Sequence, residues 1–131
     1  MLPFKVRLTL EQRKDEFARV RHRRDNFVPV IMEASGTDTP RMDKEKFLVA
    51  KDLTMGQLSY VVRRRVCIEP SHALFLLVGE RLVSTTTLVG SMYDAHHDED
   101  GFVYVTYTTE NAFGGGGEEW CVGGAGKKIG Q

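Results

Sequence analysis

Several short stretches of the sequence combine side chains that can do chemistry. Residues 96–100 place two histidines beside three acidic residues, which are types that bind metal ions. Adjacent residues point in different directions, and no second ligand group follows three or four residues away, so a solvated turn is favoured. Ser71 and His72 are neighbours without a third member of a catalytic triad, and Cys67 has no evident base partner. The sequence therefore predicts no catalytic residue, no metal site and no cofactor.

The remaining chemistry lies near the end of the chain, where "TENAF" runs into four consecutive glycines. Glycine has no Cβ, so the backbone of an enzyme can approach it closely. Exposed chain ends are also where proteolysis is easiest. Two interpretations remain from the residues alone: a linker or an end without a role, or a glycine in this run that carries the function.

Composition predicts one soluble domain. The chain has 131 residues, of which 41% are hydrophobic and 27% charged. No apolar run approaches the roughly 20 residues of a membrane span, and the start "MLPFKVRL" lacks the features of a secretory signal. Residues 1–65 carry 15 Lys and Arg against 9 Asp and Glu, so this half could meet acidic peptides or anionic lipid. The run "RRR" at 63–65 has no interleaved aromatics, which argues against nucleic acid.

Capping signals and periodicity predict the elements that would position these residues. Thr9 with Gln12, and Thr54 with Gln57, have capping-box spacing and predict helices over 10–24 and 55–66. Strands are predicted at 26–34, 46–50, 73–78 and 102–107, with a short helix after Thr87 between the last two. The run "ALFLLV" at 73–78 is apolar throughout and predicts a strand buried on both faces.

This order of elements predicts an α+β fold. A four-stranded sheet would wrap around the 55–66 helix in the manner of a ubiquitin-like β-grasp, preceded by an N-terminal helical extension. Pro29 cannot donate to a ladder, so it predicts an edge strand or a position at a strand's beginning. The domain boundaries expected are an extension over 1–26, the β-grasp over 27–113 and a glycine-rich tail over 114–131.

Four stretches resemble the autophagy ubiquitin-like modifiers, the family of GABARAP and the light chain of microtubule-associated proteins. They are "VPVI" at 28–31, "DKEKFLVAKDLTMGQLSYVVRRRV" at 43–66, "ALFLLV" at 73–78 and "LVGSMYDAHHDEDGFVYVTYTTENAFG" at 88–114. The resemblance covers roughly residues 4–114 without large insertions.

The resemblance implies a protein tag for membranes. A cysteine protease would cut between Gly114 and Gly115, just after Phe113, and remove residues 115–131. Activating and conjugating enzymes would then transfer Gly114 to phosphatidylethanolamine, moving the cytoplasmic protein to the autophagosomal membrane. No catalytic activity of its own is implied.

The resemblance also implies that the chain binds receptors through short motifs of the form aromatic-x-x-Leu/Ile/Val. Such a peptide would be added as a strand beside the 46–50 strand. The aromatic pocket would be formed by Glu16, Val20, Pro29, Lys46, Leu48 and Phe102. The aliphatic pocket would be formed by Phe47, Val49, Ala50, Leu53, Leu58 and Val61. Lys44, Lys46 and Arg65 would attract acidic residues that flank the motif.

Three positions depart from the family's pattern. Ala50 replaces a proline, which predicts a shallower second pocket. Phe27 stands where the family often has arginine, which removes a contact for acidic flanks. Phe17 occupies a helix position that is usually small or polar, which predicts a reshaped helix face.

Two alternatives to a lipid-conjugated modifier remain. One is a modifier of the Atg-twelve type, which is conjugated to a protein lysine, although the "ENAFG" ending and the "KFLVAKDLT" segment favour the first interpretation. The other is a cytoskeletal protein whose basic N-terminal helix binds the acidic tails of tubulin.

Overall fold

The computed structural model describes residues 2–21, 25–35, 39–69 and 71–109, which form four helices and five strands. In chain order they are α1 (Phe4–Arg7), α2 (Leu10–Arg21), β1 (Phe27–Ala34), β2 (Lys46–Ala50), α3 (Met55–Arg65), β3 (Leu74–Val78), β4 (Arg81–Leu82), α4 (Val89–His96) and β5 (Val103–Thr109).

The strands form one mixed sheet in the order β2-β1-β5-β3-β4. The two central strands, β1 and β5, are parallel, and the other neighbours are antiparallel.

The prediction of four strands is wrong because it missed β4, which pairs with β3 through a two-residue turn. Both turn residues have positive φ, 59° at Gly79 and 66° at Glu80, as a type I′ hairpin turn requires. Helix α1 was also missed, since four residues are too few to show a helical period.

Each face of the sheet packs against a different set of helices. On one face, residues such as Val30, Val105 and Tyr107 form the main core with Leu58 of α3 and Val89 of α4. On the other face, a smaller aromatic cluster packs against the N-terminal helices. It contains the buried residues Phe4, Ile31 and Phe102, with Leu8, Phe17 and Tyr104 around them. The N-terminal helices therefore cover the β1 and β5 part of one face of the sheet.

The capping signals place the starts of both long helices correctly. In α2, the Thr9 N–H donates to Gln12 Oε1 (2.8 Å) and the Gln12 N–H donates to Thr9 Oγ1 (3.2 Å). In α3, Thr54 and Gln57 form the same reciprocal box. Residues 22–24 of the predicted first helix lie outside the described part of the chain. The predicted cap of α4 is wrong: Thr87 instead donates its N–H to the Ser84 carbonyl in a turn, and α4 begins at Val89 without a side-chain cap.

Strand β1 lies inside the sheet, so Pro29 is not on an edge strand. It stands instead near the beginning of β1, the other position that the sequence predicted. The even-numbered residues of β1 bond to β2, as the Met32 N–H does to the Glu45 carbonyl (2.8 Å). Pro29 thus turns its missing N–H toward β5, and the pairing with β5 begins one residue later, at Val30 with Val103. An interior strand tolerates proline there because the ladder needs no donor at that point.

Strand β3 is buried on one face only, which corrects the prediction from its apolar run. Leu76 and Val78 are buried, whereas Phe75 on the opposite face is 37% exposed. The N-terminal helices pack over the β1 and β5 side of that face and leave the β3 and β4 side uncovered.

Candidate functional site

Strand β2 is an outer strand of the sheet, and part of its backbone faces away from β1. The hydrogen-bonded pairs between the two strands involve the odd-numbered residues of β2, such as Val49 with Val28. The N–H and C=O groups of Lys46 and Leu48 therefore point to the outer edge, because bonding direction alternates along a strand. An extended peptide can add to such an edge.

A cavity of about 570 Å³ lies beside this edge. It has an apolar wall and a rim that contains two lysines. Its lining residues are Val20, Phe27, Lys44, Lys46, Phe47, Leu48 and Phe102. This volume falls within the range of pockets that hold small ligands, and a mostly apolar lining with a few polar groups is typical of them.

The structure brings together four of the six residues predicted for the aromatic pocket. Val20, Lys46, Leu48 and Phe102 line the cavity, and Glu16 reaches its rim through Lys46. Pro29 is buried beneath this face and does not line the cavity. Val20 comes from the end of α2, so helix and sheet must stay packed for the cavity to exist.

Phe102 forms a fixed wall of the cavity, because aromatic side chains surround it. Its ring packs edge-to-face with Phe4 (5.5 Å between centroids) and with Phe17 (5.9 Å). Phe17 lies directly over Gly101, where a Cβ would stand 2.5 Å from the ring. The Phe17 side chain therefore joins α2 to the start of β5. The reshaped helix face, relative to the family, stays a prediction.

The rim of the cavity carries a partly buried ion pair. Lys46 Nζ lies 2.5 Å from Glu16 Oε1, and Arg19 Nη1 lies 2.6 Å from Glu16 Oε2. The hydrogen bond from Lys46 holds the pKa of Glu16 below its usual value, despite the opposing effect of burial. Lys46 thus has a carboxylate partner on α2.

Lys44 and Arg65 flank Phe47 at the opposite side of the rim. Their cationic groups lie 5.1 Å and 5.3 Å from the centre of the Phe47 ring. Arg65 also lies 3.6 Å from exposed Asp43. Lys44 is exposed, and none of the ion pairs between described residues involves it.

The residues predicted for the aliphatic pocket do not all reach the surface. Val49 and Leu58 are 7% and 4% exposed and belong to the main core. Leu53 and Ala50 are half-buried, and Val61 is 41% exposed. These three positions, with Phe47, form the accessible part of the predicted set.

Phe27 lines the cavity, although only the loss of an arginine was expected at this position. The signal that could have found it is strand pairing: Phe27 lies opposite Ala50, and Pro29 lies opposite Leu48. Directly opposed residues share a face of the sheet. Phe27 therefore extends the apolar wall of the cavity toward Ala50, the last residue of β2.

The acidic residues after α4 anchor the N-terminal helices. The Asp98 carboxylate lies 2.6 Å from Lys5 Nζ, and fully buried Asp100 lies 2.7 Å from Arg13 Nη1. The Tyr104 hydroxyl also donates to Asp100 (2.5 Å). Burial raises the pKa of Tyr104, and the hydrogen bond to Asp100 raises it further. Over the described ranges, no group of three His, Cys, Asp or Glu side chains is arranged to hold a metal ion.

The tail positions expected to be processed, Phe113, Gly114 and Gly115, lie outside the described residues. Strand β5 ends at Thr109, five residues before Gly114. Within the described part of the chain, no helix has both the length and the apolar character needed to cross a membrane.

Several known proteins are similar to this chain in sequence and in structure. Residues 12–114 match the family model described as "Autophagy protein Atg8 ubiquitin like". Autophagy-related protein 8A of Oryza sativa is 46% identical over 112 residues, covering 85% of this chain and 94% of the relative. Autophagy-related protein 8 of Saccharomyces cerevisiae is also 46% identical, over 85% and 96%. The crystal structure of Trypanosoma brucei ATG8 superposes with a TM-score of 0.79 at 36% identity, covering 87% of this chain and 99% of that one.

Proposed function

Because the chain belongs to the Atg8 family of ubiquitin-like autophagy proteins, we propose that it is a membrane-conjugated modifier that docks receptor peptides. A tail-processing cysteine protease cuts after Gly114. Activating and conjugating enzymes then join Gly114 to phosphatidylethanolamine, and the conjugated protein recruits receptors to the autophagosomal membrane.

Gly114 is the proposed point of attachment for two reasons. The match to the family model ends at residue 114, so residues 115–131 extend beyond what the family shares. Glycine also suits a chain end that several enzymes must handle, because they can approach its backbone closely. The proposed domain unit is the β-grasp of residues 27–113, with the helical extension of residues 1–26 packed against it.

The outer edge of β2 beside the aromatic-lined cavity is the observation that carries the docking proposal. A peptide strand would bond to the outward groups of Lys46 and Leu48, and its aromatic side chain would enter the cavity between Phe27 and Phe102. Its aliphatic side chain would rest on the accessible group around Val61. Backbone bonds would set the register, and the two side chains would supply specificity.

Acidic residues ahead of the motif would meet Lys44 and Arg65. Lys46 is less available for this because Glu16 already binds it. Exposed charges of this kind mainly raise the association rate and the salt dependence of binding.

The two alternatives have less support. Attachment to a protein lysine would leave the docking edge unchanged, and no feature of the described residues favours it over a lipid. Binding of tubulin by the N-terminal cations would compete with contacts inside the chain, because Lys5, Arg13 and Arg19 all form ion pairs with its own carboxylates.

Calorimetry with a peptide of the aromatic-x-x-Leu type tests the docking site. Leu48→Ala should weaken binding by about 1–3 kcal/mol, because it removes part of the cavity wall. Leu82→Ala is the matched control, since Leu82 is 65% exposed on β4, at the opposite edge of the sheet, and should bind as the unchanged protein does. Equal affinity for all three proteins would remove the docking proposal.

A further inference from the structure

The tail beyond Gly114 contains a segment with the chemistry that the docking site is proposed to read. Glu118 and Glu119 are followed directly by Trp120, the single tryptophan of the chain. The cavity offers a matching surface, with Phe27 and Phe102 as aromatic walls and Lys44 at the rim. Indole buries a large apolar area at a small entropic cost, and the order of acids before an aromatic is the order proposed for receptor peptides.

The distance between the strand end and the cavity permits contact within one molecule. Phe102, in the cavity wall, stands directly before β5, and Thr109 is the last residue of that strand. At about 3.3 Å per residue along β5, and about 5 Å across each of the two strand spacings to β2, the cavity lies roughly 25 Å from Thr109. The eleven residues from Thr109 to Trp120 can span at most about 36–40 Å. Trp120 can therefore reach the cavity of its own chain.

The segment lacks the second anchor of the receptor motif. The position three residues after Trp120 is Gly123, which has no side chain to place on the aliphatic surface. A ligand with one anchor binds weakly when it is a separate molecule. Joined to the same chain, it acts at an effective concentration of the order of 1 mM. Attachment can thus hold a segment that would dissociate once cut free.

We propose that, before processing, Trp120 occupies the cavity between Phe27 and Phe102 while Glu118 and Glu119 face Lys44, so that the uncut chain blocks its own docking site. This inference rests on the proposed function of that site. Cleavage after Gly114 would then do two things at once: it would expose the glycine for conjugation, and it would release the receptor site. Only chains that have been cut after Gly114, and can therefore be conjugated to lipid, would bind receptors.

Intrinsic fluorescence of the full chain tests the contact directly, because Trp120 is the only tryptophan. Its emission should lie to the blue of free N-acetyltryptophanamide. Lys44→Glu should shift the emission toward that of the free indole, and combining Lys44→Glu with Glu118→Lys and Glu119→Lys should restore the blue shift. Emission equal to that of free indole in the unchanged chain would overturn the proposal. So would a blue shift that vanishes on dilution, because that would show docking between molecules.

Competition with a receptor-type peptide separates this inference from the function it rests on. The probe is an acid-flanked Phe-x-x-Leu peptide without tryptophan, titrated by calorimetry into the full chain and into its Trp120→Ala variant. If the tail alone binds with a dissociation constant of about 0.1 mM, the variant should bind the probe about tenfold more tightly. Equal, measurable affinities would overturn the tail contact and leave the docking site standing. No binding by either protein would overturn the docking site and the inference with it.

Discussion

At the scale of single residues, Phe27 sets the character of the docking cavity. It lies opposite Ala50 at the outer end of β2 and contributes to the cavity wall. An arginine at this position, which the family resemblance leads us to expect in relatives, would bring a third cation to a rim that already has Lys44 and Lys46. With phenylalanine, the cavity gains apolar surface and loses a partner for acids. The chain should therefore discriminate between peptides more by how their apolar side chains fit the cavity than by their charge.

Phe27→Arg should reverse this preference. The variant loses an apolar wall of the cavity, so its affinity in high salt should fall. At low salt, the added exposed ion pair of about 0.2–1 kcal/mol should recover about 1.4-fold to fivefold of the affinity for an acid-flanked peptide. Its affinity should also fall more steeply as salt is added, because exposed charges are screened. Calorimetry at two ionic strengths measures both effects. An unchanged salt dependence would show that position 27 does not face the peptide's acids.

Asp100 is the residue on which the attachment of α2 depends most. Its carboxylate accepts hydrogen bonds from Arg13, from the Tyr104 hydroxyl and from the Phe102 N–H (2.8 Å). The side chain is fully buried. Removing one member of a buried ion pair is costly because the other charge remains without its partner.

Asp100→Asn should lower the free energy of unfolding by about 3 kcal/mol, the lower end of the cost of breaking a buried ion pair, because the largely buried Arg13 guanidinium keeps only the Asp98 carboxylate, 3.5 Å away. Urea denaturation measures the change. Glu99→Gln is the control, because the neighbouring Glu99 is exposed and should change stability by no more than about 0.5 kcal/mol. If the two variants unfold at the same urea concentration, the Asp100 network contributes no such stability.

At the scale of elements, the proposed docking cavity depends on the packing of α2 against the sheet, because neither α2 nor the sheet forms it alone. Val20 of α2 lines it, and Phe17, one turn earlier on the same helix, holds Phe102 in place. This contact requires glycine at 101, which has a φ of 102° and no room for a Cβ beneath the Phe17 ring. The position of α2 over the sheet thus determines the width of the cavity.

Gly101→Ala should destabilise the protein and weaken peptide binding. Gly79→Ala is the matched control, because Gly79 also has a positive φ but no atom within 4 Å of the added Cβ. Both should lose about 1–2 kcal/mol because an L residue is strained at positive φ, and Gly101→Ala should lose about 1–3 kcal/mol more from overpacking against Phe17. Adding Phe17→Ala should recover part of the extra loss. Equal losses in the two glycine variants would show that the ring contact is not tight.

The sequence predicted the elements that have strong local signals. Both capping boxes, strand β2 and the body of α3 were predicted at or near their observed bounds. The errors arose at positions whose burial or place in the sheet is set by contacts with distant parts of the chain. The exposure of Phe75 depends on which part of the sheet the N-terminal helices cover, and the interior position of Pro29 depends on the register with β5. The two residues of β4 pair only because Gly79 and Glu80 reverse the chain.

At the scale of the whole molecule, the proposed docking cavity and the last residue of β5 lie at opposite ends of the central strands. Strands β1 and β5 are parallel, so Phe27 and Phe102 mark the end where both begin, while Thr109 ends β5 at the far end. A chain attached through its C-terminus would hold the cavity roughly 25 Å from Thr109. A bound receptor peptide would then lie away from the membrane surface.

Sequence motifs identified the family and the ubiquitin-like α+β fold, and the comparisons confirm both. The site was predicted less completely. The motif placed Val20, Lys46, Leu48 and Phe102 around one cavity, as observed. It could not show that Val49 and Leu58 turn into the core, because a strand or helix position carried over from relatives does not specify how far each side chain is buried.

Mass spectrometry of the protein's C-terminus, isolated from membranes of cells that express the full 131-residue chain during starvation, tests the central claim most directly. We expect a chain that ends at Gly114 and carries phosphatidylethanolamine in amide linkage, and we expect Gly114→Ala to abolish this species. Recovery of only the intact chain ending at Gln131, without lipid, would overturn the proposed function. So would a lipidated terminus that persists in the Gly114→Ala variant.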